Sequence, residues 1–139
     1  MDYVADLDPS HRVLRITVTT ALTDDACTNI YRAIERLASR GGPYKATILD
    51  LSQVEDFPVS ADTIRALAAT GPAVPGEGPR VIVASEPALY GLARMFELHR
   101  DSTGGNLQTV VRSLDEAYTL LKVTPQGFSQ RLFPESMAA

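Results

Sequence analysis

The sequence predicts an α/β fold: a mixed β-sheet with helices packed against it. Three observations carry that prediction. Two apolar runs, KATILDL at 45–51 and RVIVA at 80–84, are near-continuous, which marks strands buried on both faces and parallel to each other. Stripes of apolar residues at helical spacing lie between and after them. The opening segment, by contrast, alternates apolar and polar residues, as a half-covered antiparallel hairpin does.

Each element has its own reason. Residues 3–7 set Tyr3, Ala5 and Leu7 against Val4 and Asp6, a short edge strand, and Asp8-Pro9-Ser10-His11 makes a turn. Residues 13–19 place Leu14, Ile16 and Val18 on one face and Val13, Arg15, Thr17 and Thr19 on the other. Thr23 offers an N-cap, with Asp24 and Asp25 in the first turn, for a helix to about Ser39. Its stripe is Ala26, Ile30, Ala33, Ile34 and Leu37, and Gly41 supplies the stop. After the strand at 45–51, Ser60 caps a second helix with the stripe Ile64, Leu67 and Ala68. The segment GPAVPGEGP at 71–79 is dense in turn formers. Ser85-Glu86-Pro87 starts a third helix over 87–100, with the stripe Leu89, Leu92, Ala93 and Phe96. Residues 103–106, TGGN, break the chain before a last strand at 107–111. Ser113-Leu114-Asp115-Glu116 fits a capping box for a helix to Leu121. The order is β-β-α-β-α-β-α-β-α, in one domain over residues 1–123. Residues 124–139 show no period and read as a loosely attached tail.

Bulk properties narrow the function classes. The chain has 139 residues, 45% apolar and 22% charged, with a net charge of −4. That balance suits a globular domain and argues against nucleic acid as a partner, which requires a basic face. Cys27 is the one cysteine, so neither an intramolecular disulfide nor a thiolate zinc site can form. The start, MDYVADLD, lacks a basic-then-apolar leader, and no apolar run is long enough to span a membrane. A reducing cytoplasm is the expected location. No His-x-x-x-His or Glu-x-x-His spacing points to a metal, no glycine run fits a P-loop, and no cofactor is implied.

Two stretches resemble a family. TILDLSQVEDFPVSADTIRAL at 47–67 is similar to the strand, loop and helix start of the STAS (sulfate transporter and anti-sigma factor antagonist) superfamily. VIVAS, YGLARMFELHR and TVVRSLDEAYTLL within 80–121 look like the following elements of its SpoIIAA-like branch, which is distantly related to Sec14-like carriers. The resemblance covers roughly residues 3–121 and implies a small regulatory or binding module that is not an enzyme. In anti-sigma antagonists a serine at the start of the second helix is phosphorylated. The matching position is Ser60, set in Pro58-Val59-Ser60-Ala61 where the family usually has Asp-Ser followed by glycine.

The chemistry-bearing residues allow two readings each. Ser60 is a phosphorylation or anion site, or simply an N-cap. Asp50 and Ser52 stand at the carboxyl end of a central strand, where open α/β sheets bind ligands, or they satisfy loop N–H groups. Glu55 and Asp56 are adjacent carboxylates in a polar loop. Cys27 lies in a helix first turn beside Asp24 and Asp25, as a buried small hydrophobe. Tyr90, Met95 and Leu98 exceed the stripe of their helix. They are either covered by the 124–139 segment, with Phe128, Leu132 and Phe133, or form a homodimer or ligand surface.

The leading expectation is therefore a non-enzymatic, STAS-like regulatory or binding module acting through protein contacts, as a homodimer. The first alternative is a carrier of a small apolar ligand or lipid, its pocket lying between sheet and helices. The second is a hydrolase or transferase using the 50–60 loop. A deep apolar cavity favours the carrier, and a flat apolar patch around Met95 and Leu98 favours the module.

Overall fold

The structure, a computed structural model, describes residues 2–70, 78–102 and 108–132. The turn-rich segment at 71–77, the break at 103–107 and Phe133 lie outside the described residues. The elements are β1 (Tyr3–Asp8), β2 (Val13–Val18), α1 (Asp24–Gly41), β3 (Ala46–Asp50), α2 (Ala61–Thr70), β4 (Arg80–Val83), α3 (Pro87–Ser102), β5 (Gln108–Val111), α4 (Leu114–Leu121), a 3-10 turn (Pro125–Gly127) and β6 (Gln130–Leu132). They form a six-stranded mixed sheet in the order β5-β4-β3-β2-β1-β6. Strands β2 to β5 run parallel, with Ile48 opposite Val81 and Leu49 opposite Ile82, while β1 is antiparallel to both β2 and β6. The expected α/β class and the expected parallel pairing of the two apolar runs are both present.

The helix ends follow local chemistry. The Thr23 side chain accepts the Ala26 N–H at 3.0 Å, and Ser113 accepts the Glu116 N–H at 3.2 Å, so both predicted caps form. Helix α1 runs past the expected stop to Gly41, and Gly42 caps it. A Cβ on Gly42 would come within 2.5 Å of the Ala38 carbonyl oxygen, so only glycine fits there. At α3 the capping side chain is that of Glu86, which accepts the Leu89 N–H at 3.0 Å. Ser85 instead donates to the Arg112 carbonyl at 2.8 Å.

The two sheet faces are covered unequally. Ala5, Leu7, Leu14, Ile16, Val18 and Ile82 pack beneath α1, α2 and α3, against residues such as Ile30, Leu37, Ile64 and Leu89. Val13, Ile48, Val81 and Val83 form the opposite core with Ala117 and Tyr118 of α4 and with Phe128. The alternation in β1 and β2 thus separates two cores. Beside the second core lies a charged cluster. Asp6, 6% exposed, accepts from Arg15 Nη2 at 3.1 Å and from Arg131 Nε at 2.6 Å. Arg15 also donates to the Tyr118 hydroxyl at 2.8 Å and lies over the Phe128 ring at 4.6 Å. Asp8, 1% exposed, accepts from the backbone N–H groups of Ser10 and His11 and contacts His11 Nδ1 at 2.8 Å.

The segment expected as a loose tail is, in its described part, a piece of the fold. Residues 130–132 pair with β1 (Ala5 opposite Leu132, Asp6 opposite Arg131), and Phe128 and Leu132 are buried. Three residues are too few for an alternation to be recognised, and the pairing partner lies at the other end of the chain. We expect Phe128→Ala to lower unfolding stability by about 3 kcal/mol in urea titration, as a buried aromatic does and a loose tail would not. Ile82→Asp, which puts an unpaired carboxylate in the core, should leave a chain without cooperative unfolding.

Candidate functional site

At the carboxyl end of β3 the candidate residues serve their own turns. Asp50, 2% exposed, accepts the Ser52 N–H through Oδ1 at 2.9 Å, while Ser52 itself is exposed. Ser60 is the N-cap of α2: its Oγ accepts the Thr63 N–H at 3.1 Å and stands 3.1 Å from Thr63 Oγ1. Asp50 with Ser52, and Ser60, therefore belong to separate hydrogen-bonded turns. Glu55 and Asp56 are exposed.

Asp24 is the residue that sequence reasoning assigned too small a role. Beyond standing in the first turn of α1, its Oδ1 accepts the backbone N–H of Ser60 at 2.7 Å, bridging the starts of α1 and α2. This bond from Ser60 holds the carboxyl below its usual range. Beside it, the Leu22 N–H donates to the Asp56 carbonyl at 2.8 Å. Nothing in the sequence links positions 24 and 60, because the bridge runs through a backbone N–H that every residue but proline carries.

Cys27 is half-buried, and its thiol is pushed up to about 11 by burial and then by the charge on Asp24. Rather than the expected buried small hydrophobe, its side chain is only half-buried and lines an apolar pocket. No group of three or more His, Cys, Asp or Glu residues able to hold a metal ion occurs among the described residues. No helix among them is long and apolar enough to cross a membrane.

The surplus apolar residues of α3 divide. Tyr90 and Met95 are half-buried against the core below the helices, and Arg112 lies over the Tyr90 ring at 4.1 Å. Leu98 is 59% exposed. The described part of the 124–139 segment lies against β1, at the edge of the sheet opposite β5, whereas α3 packs on α2 and β5. Phe128 and Leu132 therefore do not cover α3, as one of the two expectations had it.

An apolar gap in the packing lies under the three helices. An apolar pocket of about 120 Å³, partly open to solvent, sits between the sheet and α1, α2 and α3. Leu49 and Ile82 form its floor, and Ile30, Ile34, Leu67 and Ala93 form its walls. Engineered apolar cavities of about 150 Å³ stay dry and accept benzene, so this volume suits a single ring or a short alkyl segment. Sequence pattern correctly assigned most of these residues to the stripes of their helices. It gave no sign that the stripes, laid over the sheet, fail to meet.

No family model matches this chain, and no curated protein matches it.

Two pH responses follow. Alkylation of Cys27 should rise with pH toward an inflection near 11, and be far slower at neutral pH than in the urea-unfolded chain, where the thiol ionises near its ordinary value. The Asp24 carboxylate stabilises the fold above the ordinary carboxylate pKa, and that contribution disappears as pH falls through its lowered value. In urea titrations across that acid range, Asp24→Asn should lack this component of the acid-side loss.

Proposed function

We propose that this chain is a non-enzymatic binding module of STAS-like fold that carries a small apolar ligand between its sheet and its helices. The cavity of about 120 Å³ beneath α1, α2 and α3 carries this reading. Its walls are aliphatic and aromatic side chains, which bind by removing apolar surface from water and offer no anchor for a charged headgroup. The volume supports a ring or a short alkyl segment rather than a whole lipid, which narrows the carrier that stood as the first alternative to a protein-contact module.

Native mass spectrometry of the purified protein reads this out directly, as an added mass released on denaturation. A thermal-shift titration with toluene gives a second readout. Binding raises the melting temperature by mass action, and Ala93→Leu, which fills the space, should raise it without ligand and abolish the ligand-induced shift. A wild-type protein with no bound mass and no shift would rule the reading out.

A second reading has its own observation. Leu98, 59% exposed on α3, supports a homodimer through that helix. In that case Leu98→Glu should convert a dimer to a monomer in sedimentation velocity with the fold intact. Met95 is unsuitable for the same test because it packs against the core. The STAS resemblance adds Ser60 as a candidate phosphosite. A phosphate on its Oγ would stand near the Asp24 carboxylate and repel it.

A further inference from the structure

We infer that the ligand enters through the seam between α1 and α2, that the Asp24–Ser60 hydrogen bond is the clasp that holds that seam narrow, and that the ligand is a neutral molecule of about one ring's size. This rests on the reading that the cavity holds an apolar ligand.

The seam follows from the packing. One wall of the cavity belongs to α1, through Cys27, Ile30 and Ile34, and the other to α2 and α3, through Ile64, Leu67 and Ala93. Helix α2 packs along α3 far more extensively than along α1. The weaker joint is therefore the one between the two walls, and parting it widens the mouth of the pocket without breaking the α2–α3 pair or the sheet below.

The clasp sits at one end of this joint. Asp24 Oδ1 and the Ser60 N–H meet at 2.7 Å, across the first turns of the two helices. Cys27 and Ile64, wall residues on the two helices, each lie about one helical turn beyond the clasp. Leu22, also in the cavity wall, holds the Asp56 carbonyl beside it. A charge-assisted hydrogen bond at this point resists separation of the helix starts while adding nothing to the apolar interior. It therefore controls how often the seam opens, and hardly affects how tightly the interior holds its occupant.

The same geometry sets the ligand class. The interior provides no charged group to pair with an ionised ligand, and burying an unpaired charge is prohibitive. Outside, Asp24, Asp25 and Asp56 are exposed at the seam and repel anions. Carboxylates are excluded twice, once at the entrance and once in the interior.

Fluorine NMR tests both parts, with para-fluorotoluene as the neutral probe and para-fluorobenzoate as an anion of similar size. Wild type should bind the neutral probe and show no bound signal for the anion. Asp24→Ala should exchange the neutral probe about tenfold faster, the scale of one charge-assisted hydrogen bond, with its affinity changed less than about threefold. Asp24→Asn, which keeps the shape and loses the charge, should lie between the two and serves if Asp24→Ala does not fold. Asp115→Ala, an equal charge change in the first turn of α4, should leave exchange as in wild type. Wild-type exchange rates in a folded Asp24 variant, or an equal acceleration by Asp115→Ala, would overturn the clasp. Equal binding of the two probes would overturn the ligand class. No binding of the neutral probe to wild type would overturn the cavity reading itself.

Discussion

Strands β3 and β4 are apolar on both faces, and everything else in the fold answers the need to cover them twice. Ile48, Val81 and Val83 point to one core, and Ile82 and Leu51 to the other. A strand pair of this kind cannot stop at one layer of helices, because the second face would lie in water. The chain has unequal means for the two faces. Three helices, α1 to α3, pack on one, while α4, the shortest helix, serves the other with the 3-10 turn and Phe128 beside it.

The inequality has opposite effects on the two sides. Under three helices the cover is broad but its parts do not meet, and the remainder is apolar space of about 120 Å³. Under α4 the cover is narrow, and the sheet beyond it, on β1 and β2, carries charge instead of hydrocarbon. Asp6 and Arg15 pair there, with Arg131 on Asp6, Tyr118 on Arg15 and Phe128 lying against the guanidinium, whose buried Nε has no hydrogen-bond partner among the described residues. Removing any one member leaves a poorly solvated charge, so these residues act as a unit. The two halves of the molecule thus divide their roles: one has a void suited to an apolar guest, and the other has a polar lock.

Much of this was legible in the sequence. The doubled apolar character of 45–51 and 80–84 identified the central strands, and the period of two in β1 and β2 separated Leu14 and Ile16 from Arg15. Thr23, Ser60 and Ser113 cap their helices as their positions implied. Local chemistry explains these successes, since a cap or an alternation needs only neighbours in the chain. What was not legible is non-local. Strand β6 owes its existence to an edge at the other end of the sequence. The bond from Ser60 to Asp24 depends on where two helices happen to start, and the pocket on how side chains from six elements fall short of one another. Composition and period do not encode such distances.

Strand β6 also imposes an order in time. Its partner β1 is synthesised well before it, since Arg131 reaches Asp6 across 125 positions. At translation rates of about 5–20 residues per second, that interval is on the order of ten seconds. Throughout it the β1–β2 hairpin can join β3 and the strands that follow, but its outer edge stays open, with Ala5, Asp6 and Leu7 offering unpaired backbone. A carboxylate in the middle of that edge is a poor template for a neighbouring nascent chain, because an approaching apolar strand would have to desolvate it without a counter-ion. Asp6 therefore guards the growing polypeptide against association, and the arrival of Arg131 turns the guard into the seal of the finished sheet.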